Sequence, residues 1–147
     1  MYSVEFKLDY NDLRVNIEEV EKRTLIELKK AVKDTAEDIK KDAKKKVAYK
    51  TGALSRSINT TYGKQGSEAV IKADVSHASF VEYGTRAHTI RPKNKKALAF
   101  NSGNKMTFAK KVNHPGTKAK PFMEPAFNEN VPLFIKRLED ALNGSNK

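Results

Sequence analysis

The sequence predicts an α+β fold: a long N-terminal amphipathic helix packed on a mainly antiparallel sheet of four or five strands, with a C-terminal helix. Three observations predict it. Residues 2–8 alternate apolar and polar, residues 12–48 carry an uninterrupted helical stripe, and residues 53–112 hold β-type runs turned at glycines. At 147 residues the chain is expected to form a single domain, 1–147, long enough to bury one core without staples.

The first strand follows from Tyr2, Val4, Phe6 and Leu8 falling on one face, with Ser3, Glu5 and Lys7 on the other. In the long helix, Leu13, Ile17, Val20, Thr24, Leu28, Val32, Thr35, Ile39, Ala43 and Val47 step by three or four, with no Gly or Pro between. The helix is acidic early (Glu18, Glu19, Glu21) and basic late (Lys40, Lys41, Lys44 to Lys46), as its macrodipole favours. At 1.5 Å per residue it spans roughly 50 Å. A compact domain of this length is only about 40 Å across, so the helix is expected to bend, break or rest on a neighbour.

Lys50-Thr51-Gly52 ends the helix. Ala53 to Tyr62 reads as a turn followed by a strand, and Glu68 to Val75 returns beside it after a Gly-containing loop. His77 to Tyr83 predicts one short helical turn. Ala97 to Phe100 and Met106 to Val112 form a second hairpin around Asn101-Ser102-Gly103-Asn104. Residues 113–121, with two prolines and a glycine, predict an irregular loop, and both 84–96 and 113–121 are expected to be loosely ordered. Residues 122–143 carry Phe122, Ala126, Phe127, Leu133, Phe134, Leu138 and Leu142 at helical spacing. Pro125 suits a first turn, whereas Pro132 predicts a break or kink near Asn128–Val131 with Asn130 re-capping.

The charge is +11 and unevenly placed. Residues 1–28 hold seven acids and four bases, whereas no acid occurs between Tyr83 and Met123. In that interval Arg86, Arg91, Lys93, Lys95, Lys96, Lys105, Lys110, Lys111, Lys118 and Lys120 supply ten bases. An acidic head and a basic body in identical copies attract each other head to body, which favours rings or stacks. The chain has no cysteine, which excludes disulfides and thiolate chemistry. No signal-type N-terminus and no apolar run long enough for a bilayer are present, so a chain made and folded in a cytoplasm, with no membrane partner, is expected.

The candidate chemistry is sparse. His77, His88 and His114 lack a second ligand at metal spacing, and local hydrogen bonding is the preferred reading. Glu82, the only acid between Asp74 and Glu124, is read as an ion-pair partner of Arg86 and Arg91 rather than as a general base. Ser55, Ser57 and Thr51 sit in no nucleophile motif. The expectation is therefore no catalytic residue, no metal, no cofactor and no enzyme activity. The ten bases with Tyr83, Phe100 and Phe108 are compatible with sequence-independent DNA binding, in which the aromatics stack on bases. The competing reading makes the aromatics strand core and the lysines a solvated face.

Three groups of residues resemble a known family. Thr51-Gly52-Ala53-Leu54, followed by Ser57-Ile58, is similar to the Thr-Gly-x-Leu-x-x-Ser-Ile element of the tail-component family of tailed bacteriophages, also called tail-completion or neck proteins. Phe80-Val81-Glu82-Tyr83-Gly84-Thr85, then Ile90-Arg91-Pro92-Lys93 and Ala97 to Phe100, resembles its central signature. His114-Pro115-Gly116-Thr117, then Pro121-Phe122-Met123 and Pro125-Ala126, resembles its closing signature. The resemblance implies a non-enzymatic virion protein at the head–tail junction, present in the host cytoplasm during assembly and working as a ring of copies beside other neck and tail proteins. The acidic face Glu18, Glu19 and Glu21 and the basic loops Arg86–Lys96 and Lys110–Lys120 are then the expected assembly contacts, with packaged DNA as an alternative partner of the loops.

Overall fold

A computed structural model of the chain describes residues 22–47, 52–63 and 65–143, and the backbone of residues 4–9. The fold is α+β. Among these residues, in chain order, lie β1 (Val4–Asp9), α1 (Lys22–Lys46), α2 (Ala53–Ser57), β2 (Ile58–Tyr62), β3 (Glu68–Ala73), α3 (Ala78–Tyr83), β4 (His88–Ile90), β5 (Leu98–Ser102), β6 (Lys105–Ala109), β7 (Val112–His114) and α4 (Met123–Asn143).

All strand pairs are antiparallel, but the strands divide among three small sheets rather than one of four or five. The largest has the order β1-β3-β2. Its register sets Val4, Phe6 and Leu8 opposite Ala73, Ile71 and Ala69, so the alternation at the chain's start matches the face that β3 buries. On β2, Ile58 shares that face opposite Ala73. The other two sheets are the two-stranded ribbons β4–β7 and β5–β6.

The long helix is described from Lys22 to Lys46; the expected portion 12–21, including Glu18, Glu19 and Glu21, lies outside the described residues, and with it the expected overshoot. Its buried face is wide: Thr24, Leu28, Ala31, Val32, Thr35, Ala36, Ile39 and Ala43. A stripe of this width serves two neighbours. Val32, Ala36, Ile39 and Ala43 join Leu54, Ile58, Ala69, Ile71, Ala73, Phe122 and Met123 in the main core. Leu28 and Ala31 meet Leu138 and Ala141 of α4. Alanines at these crossings allow close approach of the backbones.

The two long helices run antiparallel along a polar seam. Lys46 pairs with Glu129 at 2.7 Å, Asn130 donates to Asp42 at 3.0 Å, and Arg137 donates to Thr35 at 2.9 Å and to Asp38 at 2.7 Å. Asn130 does not re-cap a broken helix, because α4 is continuous through Pro132. The side chain of Asn130 is buried and also donates to the Ala126 carbonyl at 2.9 Å. Proline removes only the bond to the Asn128 carbonyl, on an exposed turn where solvent serves instead, and packing of Ala126, Leu138 and Ala141 on α1 holds the rest.

Two further expectations change. The segment after Gly52 opens with a short helix, α2, in which the Ser57 hydroxyl donates to the Leu54 carbonyl at 2.8 Å, before β2 begins. The segments 84–96 and 113–121, expected to be loose, are partnered with each other through β4 and β7. Each strand has three residues, too short and too polar for period-2 reading to reveal.

The seam also sets an acid response. Hydrogen bonds from Lys40 and then Tyr62 hold the Glu37 carboxyl below its ordinary range, and bonds from Asn130 and then Lys45 do the same for Asp42. A lowered carboxyl contributes stability that is complete above its ordinary range and is lost as pH falls through its folded value. Asp42→Asn should therefore lose less stability than the parent between pH 6 and pH 2. Urea midpoints at the two pH values check this; equal pH sensitivity of variant and parent contradicts it.

Candidate assembly surface

α4 begins at Met123, directly after Phe122, a residue with no side-chain oxygen to cap the orphan amides of a first turn. The cap comes from 40 residues away. Glu82, on α3 and only 2% exposed, accepts from the backbone N–H of Phe122 at 2.9 Å and of Met123 at 3.1 Å through Oε2, and of Glu124 at 2.9 Å through Oε1. The next residue, Pro125, has no N–H to satisfy. A carboxylate at a helix N-terminus is further favoured by the macrodipole. Glu82 is thus not the ion-pair partner of Arg86 and Arg91 that the sequence suggested. Those arginines are exposed, while the carboxylate is turned inward.

Beside this cap the chain crosses itself. Thr85 and Thr117 form an isolated antiparallel bridge, with amide-to-carbonyl bonds of 2.9 and 3.1 Å in the two directions and a hydroxyl contact of 3.0 Å. Lys120 donates its amide to the Val81 carbonyl at 2.8 Å. The crossing requires two glycines. Gly84 has φ 71°, and a Cβ there would lie 2.5 Å from the Thr117 carbonyl oxygen; Gly116 has φ 88°, and a Cβ would lie 2.3 Å from the Thr85 carbonyl oxygen. Each glycine admits the backbone opposite it. The central and closing signatures are the two halves of one clamp.

From the clamp extends an arm, residues 86–116, built from the two ribbons. At its base the rings of His88 and His114 stack with centroids 5.1 Å apart, and Thr89 donates to Asn113 at 3.1 Å. His88 Nδ1 donates to the Arg86 carbonyl at 2.8 Å, and His114 Nδ1 accepts the Gly116 amide at 3.0 Å, which is the local bonding expected of these two. Among the described residues no group of His, Asp or Glu is placed to hold a metal ion.

Farther out, the aromatics are not strand core. Tyr83, Met106 and Phe108 are 66%, 64% and 69% exposed, and Phe80, Ile90 and Phe100 are also exposed. Arg86, Arg91, Lys93, Lys95, Lys96, Lys105, Lys110, Lys111, Lys118 and Lys120 are all exposed. The clamp therefore gathers an apolar, acid-free, basic surface on one extension. A cleft elsewhere, between the start of α1 and the end of α4, is lined by Arg23, Glu27, Lys30, Asp34, Arg137 and Asp140, whose charges balance.

The remaining motif residues divide by role. Gly52 has φ 71° ahead of α2, while Leu54, Ile58 and Phe122 lie in the core with Val81 against it. Pro92 is half-buried; Pro115 and Pro121 are exposed. Thr51 lies outside the described residues. Sequence reasoning missed the cap and the exposure of Ile90 and Met106. The missing local cap at Phe122 was the available signal for the first, and apolar residues on both sides of a lone hairpin for the second.

The family model for HK97-gp10-like bacteriophage tail components matches residues 11–84, half of the chain. The chain belongs to that family. It is a structural phage tail component, and membership implies contact with other phage tail or neck proteins. No curated protein and no solved structure matches it. The match ends at Gly84, so this tail component's closing half of the clamp lies beyond the matched span. No helix among its described residues is long and apolar enough to cross a membrane.

Because Glu82 serves three amides, Glu82→Gln should lower stability by about 1–3 kcal/mol, since one acceptor oxygen becomes a donor facing buried N–H groups. An unchanged urea midpoint would count against the cap. Gly116→Ala should open the clamp and speed amide exchange at Thr85 and Thr117, with the amides of β3 unaffected.

Proposed function

We propose that this tail component completes the tail end and joins it to the head as one copy in a ring of identical subunits at the neck, without catalytic activity, cofactor or metal. The observation that carries the reading is the clamped arm: eight bases, no acid, and exposed Ile90, Phe100, Met106 and Phe108 on one extension. An exposed apolar patch rimmed by charge marks a surface that is covered by a protein partner. A two-stranded ribbon is marginal alone and gains stability once packed. In a closed ring the contact is heterologous, one patch of each copy meeting a different patch of the next. In this reading residues 1–147 act as one domain. The loops Arg86–Lys96 and Lys110–Lys120 supply one side of the contact, and the acidic Glu18, Glu19 and Glu21 contribute to the other. Neighbouring neck and tail proteins bind above and below the ring.

The exposure of Tyr83, Phe100 and Phe108 among lysines also suits a monomeric, sequence-independent DNA-binding module. That alternative requires affinity that is equal for unrelated sequences and falls steeply with salt.

Triple reversal of Lys93, Lys95 and Lys96 to Glu should leave the folded subunit intact and weaken assembly, by on the order of 1 kcal/mol per ion pair at best. Reversal of Glu18, Glu19 and Glu21 to Lys should do the same, and the two sets combined should restore part of the loss. Light scattering across concentration, at low and physiological salt, and head–tail joining in vitro read the effect. A parent chain that stays monomeric with its neck partners present overturns the ring.

A further inference from the structure

The ring reading leaves open which surface receives the arm, and the following inference rests on that reading. The β5–β6 register places Ala99 opposite Phe108 and Asn101 opposite Met106, so these four share one ribbon face; Leu98, Phe100, Thr107 and Ala109 share the other. Their exposures differ. Leu98, Thr107 and Ala109 are part-buried, whereas Ala99, Asn101, Met106 and Phe108 are all exposed. β5 and β6 make their main contacts with each other. The Met106–Phe108 face is therefore the outward one, flanked by the lysines of an acid-free arm.

A second surface has the opposite charge. On α4, Val131, Ile135, Glu139 and Leu142 follow at helical spacing and form one stripe, which faces away from the Leu138 and Ala141 contact with α1. Ile135 is 50% exposed and Leu142 37%, and Glu139 is exposed between them. α4 has no basic residue in its last turn, yet Glu139 and Asp140 stand close to its negative end. Acids there oppose the macrodipole and are stabilised by a cation brought from outside. α1 and α4 are antiparallel, so α4 ends where α1 begins, and Glu21 is the residue before Lys22.

We propose that the Ala99–Met106–Phe108 face of one copy seats on the Val131–Ile135–Leu142 stripe of α4 in the next copy, with Glu139 and the end of α4 meeting arm lysines. The contact has an apolar centre and a charged rim, the arrangement of specific protein interfaces. It is heterologous, ribbon to helix, and so propagates around a ring. A nucleic acid would answer the lysines but leave the Met106 and Phe108 face uncovered, which is why a second copy is the occupant that fits both features.

The chain has no cysteine, so engineered thiols report this contact alone. Singly substituted Phe108→Cys and Ile135→Cys proteins are mixed at a concentration where light scattering shows assembly, then oxidised. The mixed disulfide dimer should exceed that from Phe108→Cys with Ile26→Cys about tenfold, because a disulfide closes only when Cα atoms come within roughly 7 Å. The doubly substituted chain should give a ladder of linked oligomers. Assembly without the Phe108–Ile135 link overturns this contact and leaves the ring standing. Absence of assembly even with neck partners overturns both. Protection of the Phe108→Cys thiol from alkylation by duplex DNA, but not by a second copy, also overturns it.

Discussion

Three backbone amides at the start of α4 converge on one buried carboxylate, and much else follows from that geometry. A helix start without a capping side chain is unfavourable anywhere, and more so when buried. Glu82 supplies the acceptor only if α3 lies against the start of α4. That placement brings Val81 beside Lys120 and directs Gly84 onto the chain leaving Gly116. Helix start and arm base are therefore one structure. The negative charge that would be costly in the interior is offset by three N–H donors and the positive end of a helix dipole.

The clamp separates two kinds of surface. On its inner side α1, the three-stranded sheet and the start of α4 close a core of small and medium side chains, Ala36, Ile39, Ala43, Ile58, Ile71 and Phe122 among them. On its outer side the ribbons have little to pack against and carry their apolar residues in the open. Their rigidity comes from the base: a bridge, a pair of stacked imidazoles and two glycines whose neighbours leave no room for a side chain. An arm ordered at its root presents its face with less entropy left to lose on docking.

The helical pair shows a related economy. Arg137, Asn130 and Lys46 tie α4 to α1 through partly exposed contacts, each modest, that set the axial register between the helices. That register lets α4 run through Pro132 and keeps its outer stripe, Ile135 to Leu142, turned away from the core.

The sequence by itself determined the elements whose signal is periodic: the alternating start, the long stripe through Ile39, the pair of strands around Ile58 and Ile71, the hairpin turned at Gly103 and the closing helix. It also determined the motifs that resemble phage tail components, because residue identity alone carries them. Tertiary structure decided what depends on partners distant in the chain. Glu82 and Phe122 are 40 residues apart, and nothing local distinguishes a capping carboxylate from one paired with Arg86. Whether Phe100 and Phe108 are core or surface depended on whether a second layer covers their ribbon, and alternation cannot report a layer that is absent. The short strands at His88 and Val112 exist only because the Gly84–Gly116 crossing holds their ends together, a constraint of packing rather than of propensity.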